Sequence, residues 1–210
     1  MKNFILEILY KDDNLIFVKK PAGVSSESEL PCMLKDETGA EVFPVHRLDV
    51  PVSGVMVYAR NRKYAAILSE KIASGNDFEK TYLAVAEGSF SETEGSFSDL
   101  LFKDKTKNKT FVVKRERKGV RQAFLTYKVL ETVEHNGKVL NLVKVKLETG
   151  RSHQIRVQFA SRKHFLLGDG KYGSKINSSL ALFSSNIKTM GFDISSDPEN
   201  IFPWNLFKNN

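Results

Sequence analysis

Cysteine is nearly absent: the 210 residues contain one, Cys32. A single thiol excludes an internal disulfide framework and a multi-thiolate metal site. A reducing cytoplasm is the compartment expected. Long apolar runs are absent too. None approaches the ~20 residues of a membrane helix. The first, Phe4–Leu9, is interrupted by Glu7 and is too weak for a signal peptide. The sequence has no G-x-x-x-x-G-K-[ST] phosphate loop, no G-x-S-x-G elbow and no H-x-x-x-H pair among His46, His135, His153 and His164. Gly168-Asp169-Gly170-Lys171-Tyr172-Gly173 matches a dinucleotide fingerprint in letters only. That fingerprint needs a strand before it and a helix after it, whereas the preceding segment reads as helical. A tight glycine turn is the expectation.

Acidic residues are scarce in one place. Between Leu101 and Arg121 stand nine basic residues against Asp104 and Glu116. The net charge is +7, so the remaining 23 basic and 23 acidic residues cancel and this segment holds the whole excess. A basic segment on a neutral body suggests a polyanionic partner. A solvated hairpin kept soluble by its lysines would look the same. If the run Lys103, Lys105, Lys107, Lys109 is extended, its lysines share one side of a strand.

Hydrophobic patterning predicts short strands over 4–9 and 15–19, joined by the turn Lys11–Asn14. Residues 24–42, with Ser25, Ser26, Pro31 and Gly39, read as loop, and Gly54–Ala59 as an apolar strand. Arg62–Ala73 reads as an amphipathic helix stopped by Gly75. A strand over 81–86 ends at Gly88, and the Ser-, Gly- and Glu-rich stretch 89–98 is the one plausible seam. Strands over 110–113, 123–130 and 139–147 follow, then a helix over 153–162 and strands over 180–183 and 190–193. This order favours a mixed α/β or α+β domain over a doubly wound one. Ile201, Phe202, Trp204, Leu206 and Phe207 crowd the end of the chain and should pack on the domain body.

Two segments combine charge and apolar residues in ways a core does not require. Val45-His46-Arg47-Leu48-Asp49-Val50-Pro51-Val52-Ser53-Gly54 leads into the apolar strand. A carboxylate there is held near the protein body, which suits a nucleophile or base; a structural Arg–Asp pair capping a turn is the alternative. Glu148-Thr149-Gly150-Arg151-Ser152-His153-Gln154-Ile155-Arg156-Val157 sets two arginines at the start of a helix, suited to phosphate or simply to solvent.

HRLD followed by SG (His46–Asp49, Ser53-Gly54), K-x-Y-x-A with a later glycine (Lys80, Tyr82, Ala84, Gly88), T-G-R-x-H-Q-I-R-V (Thr149–Val157) and L-G-D-x-x-Y-G (Leu167–Gly173) occur here in one order. Together with Tyr10–Asp13 and Lys20–Gly23, this ordered set resembles the RNA pseudouridine synthases of the RluA type over residues 8 to 185. The resemblance implies an α/β (α+β) pseudouridine synthase fold whose mainly antiparallel sheet is split by an RNA-binding catalytic cleft. It implies one catalytic domain over 1–210, without a separate N-terminal RNA-binding domain. The expected enzyme is an isomerase that turns specific uridines of structured RNA, ribosomal or transfer, into pseudouridine, working as a cytoplasmic monomer with no membrane attachment. Asp49 corresponds to the essential aspartate, Tyr82 to the tyrosine that packs on the base, and Arg156 to the arginine that salt-bridges the aspartate. His46, Arg47, Arg151, His153 and the lysines at 103, 105, 107 and 109 are the expected RNA contacts. Val52, Lys19, Phe165 and Phe183 depart from the family's usual threonine, asparagine, proline and Leu-His-Ala run. None of these removes a charged catalytic group.

The reaction breaks the uridine N1–C1′ bond and joins C5 to C1′. It is an isomerisation and calls for no metal, nucleotide or thiol. A stacked uracil must first be flipped out, and a tyrosine face offers roughly 1–3 kcal/mol of stacking. A non-catalytic RNA-binding or ribosome-assembly factor is the competing reading. A glycosidase would need a second flanking carboxylate, for which the sequence offers no candidate.

Overall fold

Residues 6–208 are described, in a computed structural model. In chain order the elements are β1 (Glu7–Lys11), β2 (Leu15–Lys20), α1 (Glu29–Thr38), β3 (Phe43–Pro44), β4 (Ser53–Ala59), α2 (Arg62–Ser74) and β5 (Phe78–Glu87). There follow β6 (Glu94–Asp104), β7 (Lys109–Val113), β8 (Val120–His135), β9 (Lys138–Leu147), α3 (Gln154–Ser161), β10 (Leu182–Thr189) and β11 (Phe192–Ser195). A single 3-10 turn, Trp204–Leu206, comes last. The chain divides into two compact units, one running through Lys80 and including Phe183–Pro198, the other Thr81–Leu182 with the residues from Glu199 onward. The divisions fall at residues 80/81, 182/183 and 198/199 rather than in the 89–98 stretch.

In the first unit the strand order is β1-β2-β4-β10, with β3 on β4 and β11 on β10. The pairings are antiparallel except the short parallel one of β10 with β4. β2 and β4 are buried almost throughout, so both faces are covered and the sequence shows unbroken apolar runs instead of alternation. Leu15, Phe17, Val55, Val57 and Ala59 pack with Leu68 of α2, Phe78 and Ile187. α2 follows its sequence signals: Asn61 accepts the Tyr64 amide at its start, and Gly75 closes it in the left-handed conformation.

α1 departs from the loop expected over 24–42. Pro31 lies in the first turn, where a missing N–H leaves no hydrogen bond unmade. The Glu29 carboxylate reaches back to the Ser25 amide at 2.6 Å, and Gly39 is the C-cap at φ 69°. Leu30 and Leu34 are fully buried. The residues that suggested a loop are thus the helix's own ends.

In the second unit the order is β5-β9-β8-β6-β7, with β6, β7, β8 and β9 paired antiparallel. β6 begins at Glu94, inside the stretch expected to be loop, because Glu94–Phe97 find backbone partners in Leu125–Lys128. α3 starts at Gln154, and Gln154 through Phe159 are all buried. Leu101, Ala123, Val157 and Tyr172 form the core joining α3 to β6 and β8. Of the terminal apolar residues, Trp204 and Phe207 are buried, as expected, while Ile201 and Phe202 are 58% and 40% exposed. Asn209 and Asn210, like Phe4 and Ile5 of the first expected strand, lie outside the described residues.

Candidate active site

Asp49 sits in the first unit, half-buried, in a loop whose backbone is held on both sides. The Leu48 amide donates to the Ser26 hydroxyl and the Leu48 carbonyl accepts from it, at 3.2 and 3.0 Å. The Asp49 carbonyl accepts the Val52 amide at 2.9 Å, and the Val50 carbonyl accepts the Gly23 amide at 2.8 Å. Leu48 and Val52 are buried. Gly54 is required just beyond: at φ 117° its missing Cβ would collide with the Ser184 backbone of β10.

Lys20 is the cation within this unit that completes the loop. Its ammonium is entirely buried and donates to the carbonyls of Pro21, Val24 and Val50 at 2.8, 2.7 and 3.2 Å. Burial pushes its pKa down to about 8, against the pull of the Asp49 and Glu29 carboxylates. One side chain therefore ties the end of β2 to the residue after Asp49. The sequence marked Lys20 only as part of a motif, since its three acceptors are brought together by folding.

His46 and Arg47 have separate fates. The His46 Nε2 accepts the Val57 amide at 3.2 Å and its ring meets Phe78 edge-on at 5.5 Å. Burial, with the nearby Lys80 charge, lowers its pKa to about 3, so the ring is neutral and turned inward. This does not present His46 as an RNA contact; it extends the β4 hydrogen bonding. Arg47 is exposed, with its guanidinium 3.4 Å from the Glu27 carboxylate.

In the second unit Tyr82 is buried on β5, 5% exposed. Arg156 lies on α3 and is gripped by a carboxylate the sequence did not single out. Its Nε and Nη2 donate to the two oxygens of Asp169, both at 2.7 Å, with both side chains buried. Such a bidentate pair fixes the plane of the guanidinium. Asp169 belongs to the glycine turn, whose bland reading as a turn holds: its carbonyl accepts the amides of Tyr172, Gly173 and Ser174.

Tyr172 from the same turn links several of the expected residues. Its hydroxyl meets His153 Nδ1 at 2.8 Å and accepts the Thr110 amide at 2.9 Å. Arg156 and Lys109 lie over its ring at 5.1 and 5.0 Å. His153 is thereby buried, in left-handed backbone at the head of α3. Arg151 is exposed, and its Nε donates to the Gln122 carbonyl at 3.0 Å. Arg151 is therefore steadied from β8.

The four lysines do not form one extended row. Lys103 is the last residue but one of β6, Lys105 and Lys107 occupy a turn, and Lys109 begins β7. Asp104 makes the turn, its carboxylate accepting from the Thr106 amide and hydroxyl and from the Lys107 amide. Lys103 donates to the Ser152 hydroxyl at 2.7 Å and Lys109 to the Lys171 carbonyl at 2.6 Å. Those two clasp the hairpin to the segments bearing Arg151 and Tyr172, and Lys105 and Lys107 project from its exposed tip.

Residues 14–161 match the family described as RNA pseudouridylate synthase. The chain is 36% identical over 185 residues to tRNA pseudouridine synthase C of Haemophilus ducreyi, covering 80% of this chain and 74% of that one. It is 32% identical over 192 residues to the protein of the same name from Vibrio cholerae, covering 84% and 78%. Among solved structures it resembles human RNA pseudouridylate synthase domain containing 1 with a TM-score of 0.81 at 22% identity, covering 95% of this chain and 85% of that one, which shows a shared fold. With the ordered motifs placed on this mixed, mostly antiparallel fold, the chain belongs to the RNA pseudouridine synthase family.

Proposed function

We propose that this enzyme converts a uridine of a structured transfer RNA to pseudouridine, with Asp49 as the reacting carboxylate, Tyr82 as the face for the flipped base and Arg156 as the cation favouring the ionised aspartate. The observation that carries this reading is the backbone around Asp49, held at Leu48, Asp49 and Val50 by Ser26, Val52, Gly23 and Lys20. A reacting group gains most when its approach is fixed before substrate arrives. A binding module has no use for so constrained a carboxylate near RNA phosphate. The names of the relatives support transfer RNA over ribosomal RNA.

The chemistry sets each role. A carboxylate near an RNA backbone tends to take up a proton, and a guanidinium opposes this. The bond to Asp169 uses two of Arg156's five N–H donors. Arg47, Arg151, Lys105 and Lys107 supply cations for the phosphates. No described helix is long and apolar enough to cross a membrane. The protein works as a single copy in the cytoplasm, and the lone cysteine supports that compartment.

The test is Asp49→Asn, assayed on unmodified transfer RNA. The variant should keep the wild-type circular dichroism and RNA affinity and form no pseudouridine, read by mass spectrometry after carbodiimide labelling, because product and substrate have the same mass. Turnover near the wild-type rate would overturn the assignment.

A further inference from the structure

One face of the second unit is left without a role by the residues above. Along β6, Phe97 and Leu101 point into the core, and Leu101 packs on Val157 of α3. Alternation sends Ser98, Leu100 and Phe102 to the opposite side. Phe111 of β7 stands directly across from Phe102, and Phe124 of β8 across from Ser98. All three phenylalanines therefore share the face turned away from α3. Phe111 and Phe124 are 36% and 43% exposed, two of the five large apolar side chains exposed among the described residues.

Cations accompany these rings. The Arg117 guanidinium lies 4.4 Å from the centre of Phe102, and the Lys109 ammonium 5.9 Å from that of Phe111. The enclosing segment, residues 101–121, holds nine basic and two acidic side chains. An exposed apolar face meant for another protein would more often be depleted of lysine. Rings interleaved with cations on an open sheet are the arrangement that stacks bases while it tracks phosphates.

We propose that this outer face of β6, β7 and β8 binds unpaired nucleotides of the RNA, with bases stacking on Phe111 and Phe124 and the backbone drawn along Arg117. The inference rests on the reading of the protein as acting on RNA, and adds a second contact surface beyond the residues proposed for the reaction. Ser98 and Phe102 are four residues apart on β6, so the two exposed rings lie about 13 Å apart along the strands and about 10 Å across them. That span needs an extended, unstacked strand rather than a duplex. The class of ligand is therefore single-stranded or looped RNA flanking the modified site.

The experiment uses the full chain and the double variant Phe111→Ala/Phe124→Ala, with fluorescein-labelled 20-nucleotide oligouridine and a duplex RNA of the same length as probes. Both side chains are solvent-facing, so the fold should survive, and the melting curve checks this. Oligouridine affinity should fall by about tenfold or more, from the lower end of base-stacking strength. Duplex affinity and the slope against log salt should not change. Phe111→Trp/Phe124→Trp should restore binding. Equal oligouridine affinity in wild type and double variant, or an equal loss on the duplex, would overturn the proposal. So would a wild-type dimer in sedimentation that the double variant abolishes, since the face would then join two copies. Pseudouridine formation is scored separately. An inactive wild type that still shows the oligouridine effect would sink the catalytic reading and leave this surface standing.

Discussion

Replacing Lys20 with methionine tests the architecture that holds Asp49. The change removes three charge-assisted hydrogen bonds and leaves the carbonyls of Pro21, Val24 and Val50 without that donor. An unmade bond to a buried carbonyl costs about 1–3 kcal/mol, so three cost about 3–9 kcal/mol. Against this, the ammonium itself is disfavoured by burial. A fall in pKa from 10.5 to about 8 corresponds to about 3.4 kcal/mol, which the variant recovers. The net expectation is destabilisation of about 2–3 kcal/mol at neutral pH, the middle of that range. The pH dependence is sharper. Between pH 8 and 10.5 the unfolded chain holds the Lys20 proton that the folded one has released, so stability rises with pH across this window. The wild type should gain about 2 kcal/mol over the variant between pH 7 and pH 9.5. Cys32 and the tyrosines are common to both proteins and largely cancel. Urea unfolding of both at the two pH values measures the difference. A gap that stays constant or narrows with pH would refute the reasoning. An unchanged stability at pH 7 would show that the three bonds do not hold the loop.

Asp169→Asn keeps the shape of the glycine turn but strips Arg156 of a buried charge partner, and breaking such a pair costs about 3–5 kcal/mol. Thermal unfolding should shift down by roughly 6–20 °C, and an unshifted melting curve would mean the pair contributes nothing. Lys105→Gln/Lys107→Gln should reduce the salt dependence of RNA binding by about 0.7–0.9 for each phosphate no longer neutralised, while leaving the single-turnover rate at saturating RNA intact. A salt slope equal to that of wild type would make these lysines a solubilising tip and no more.

The sequence by itself determined those features whose causes lie within a few residues. α2 has its cap at Asn61 and its stop at Gly75 next to the helix they define. β4 shows as an apolar run because it is covered on both faces. The order of the motifs named the family, and with it Asp49, Tyr82 and Arg156 as candidates. Tertiary structure decided which groups became partners. Arg156 could have met any of 25 acidic side chains, and the glycine turn supplied Asp169 thirteen positions away. The carbonyls around Lys20 come from residues up to 30 positions away from it, and backbone carbonyls carry no mark in a sequence. The resemblance offered His46 and His153 as RNA contacts, but an imidazole's letter does not tell its burial, and folding set one against Phe78 and the other against Tyr172. The lysine row failed as a strand because Asp104 could fold the chain back on itself and pair β6 with β7. Periodicity and caps act locally and are written in order along the chain. Desolvation and partner choice act through space, and only the fold brings those residues together.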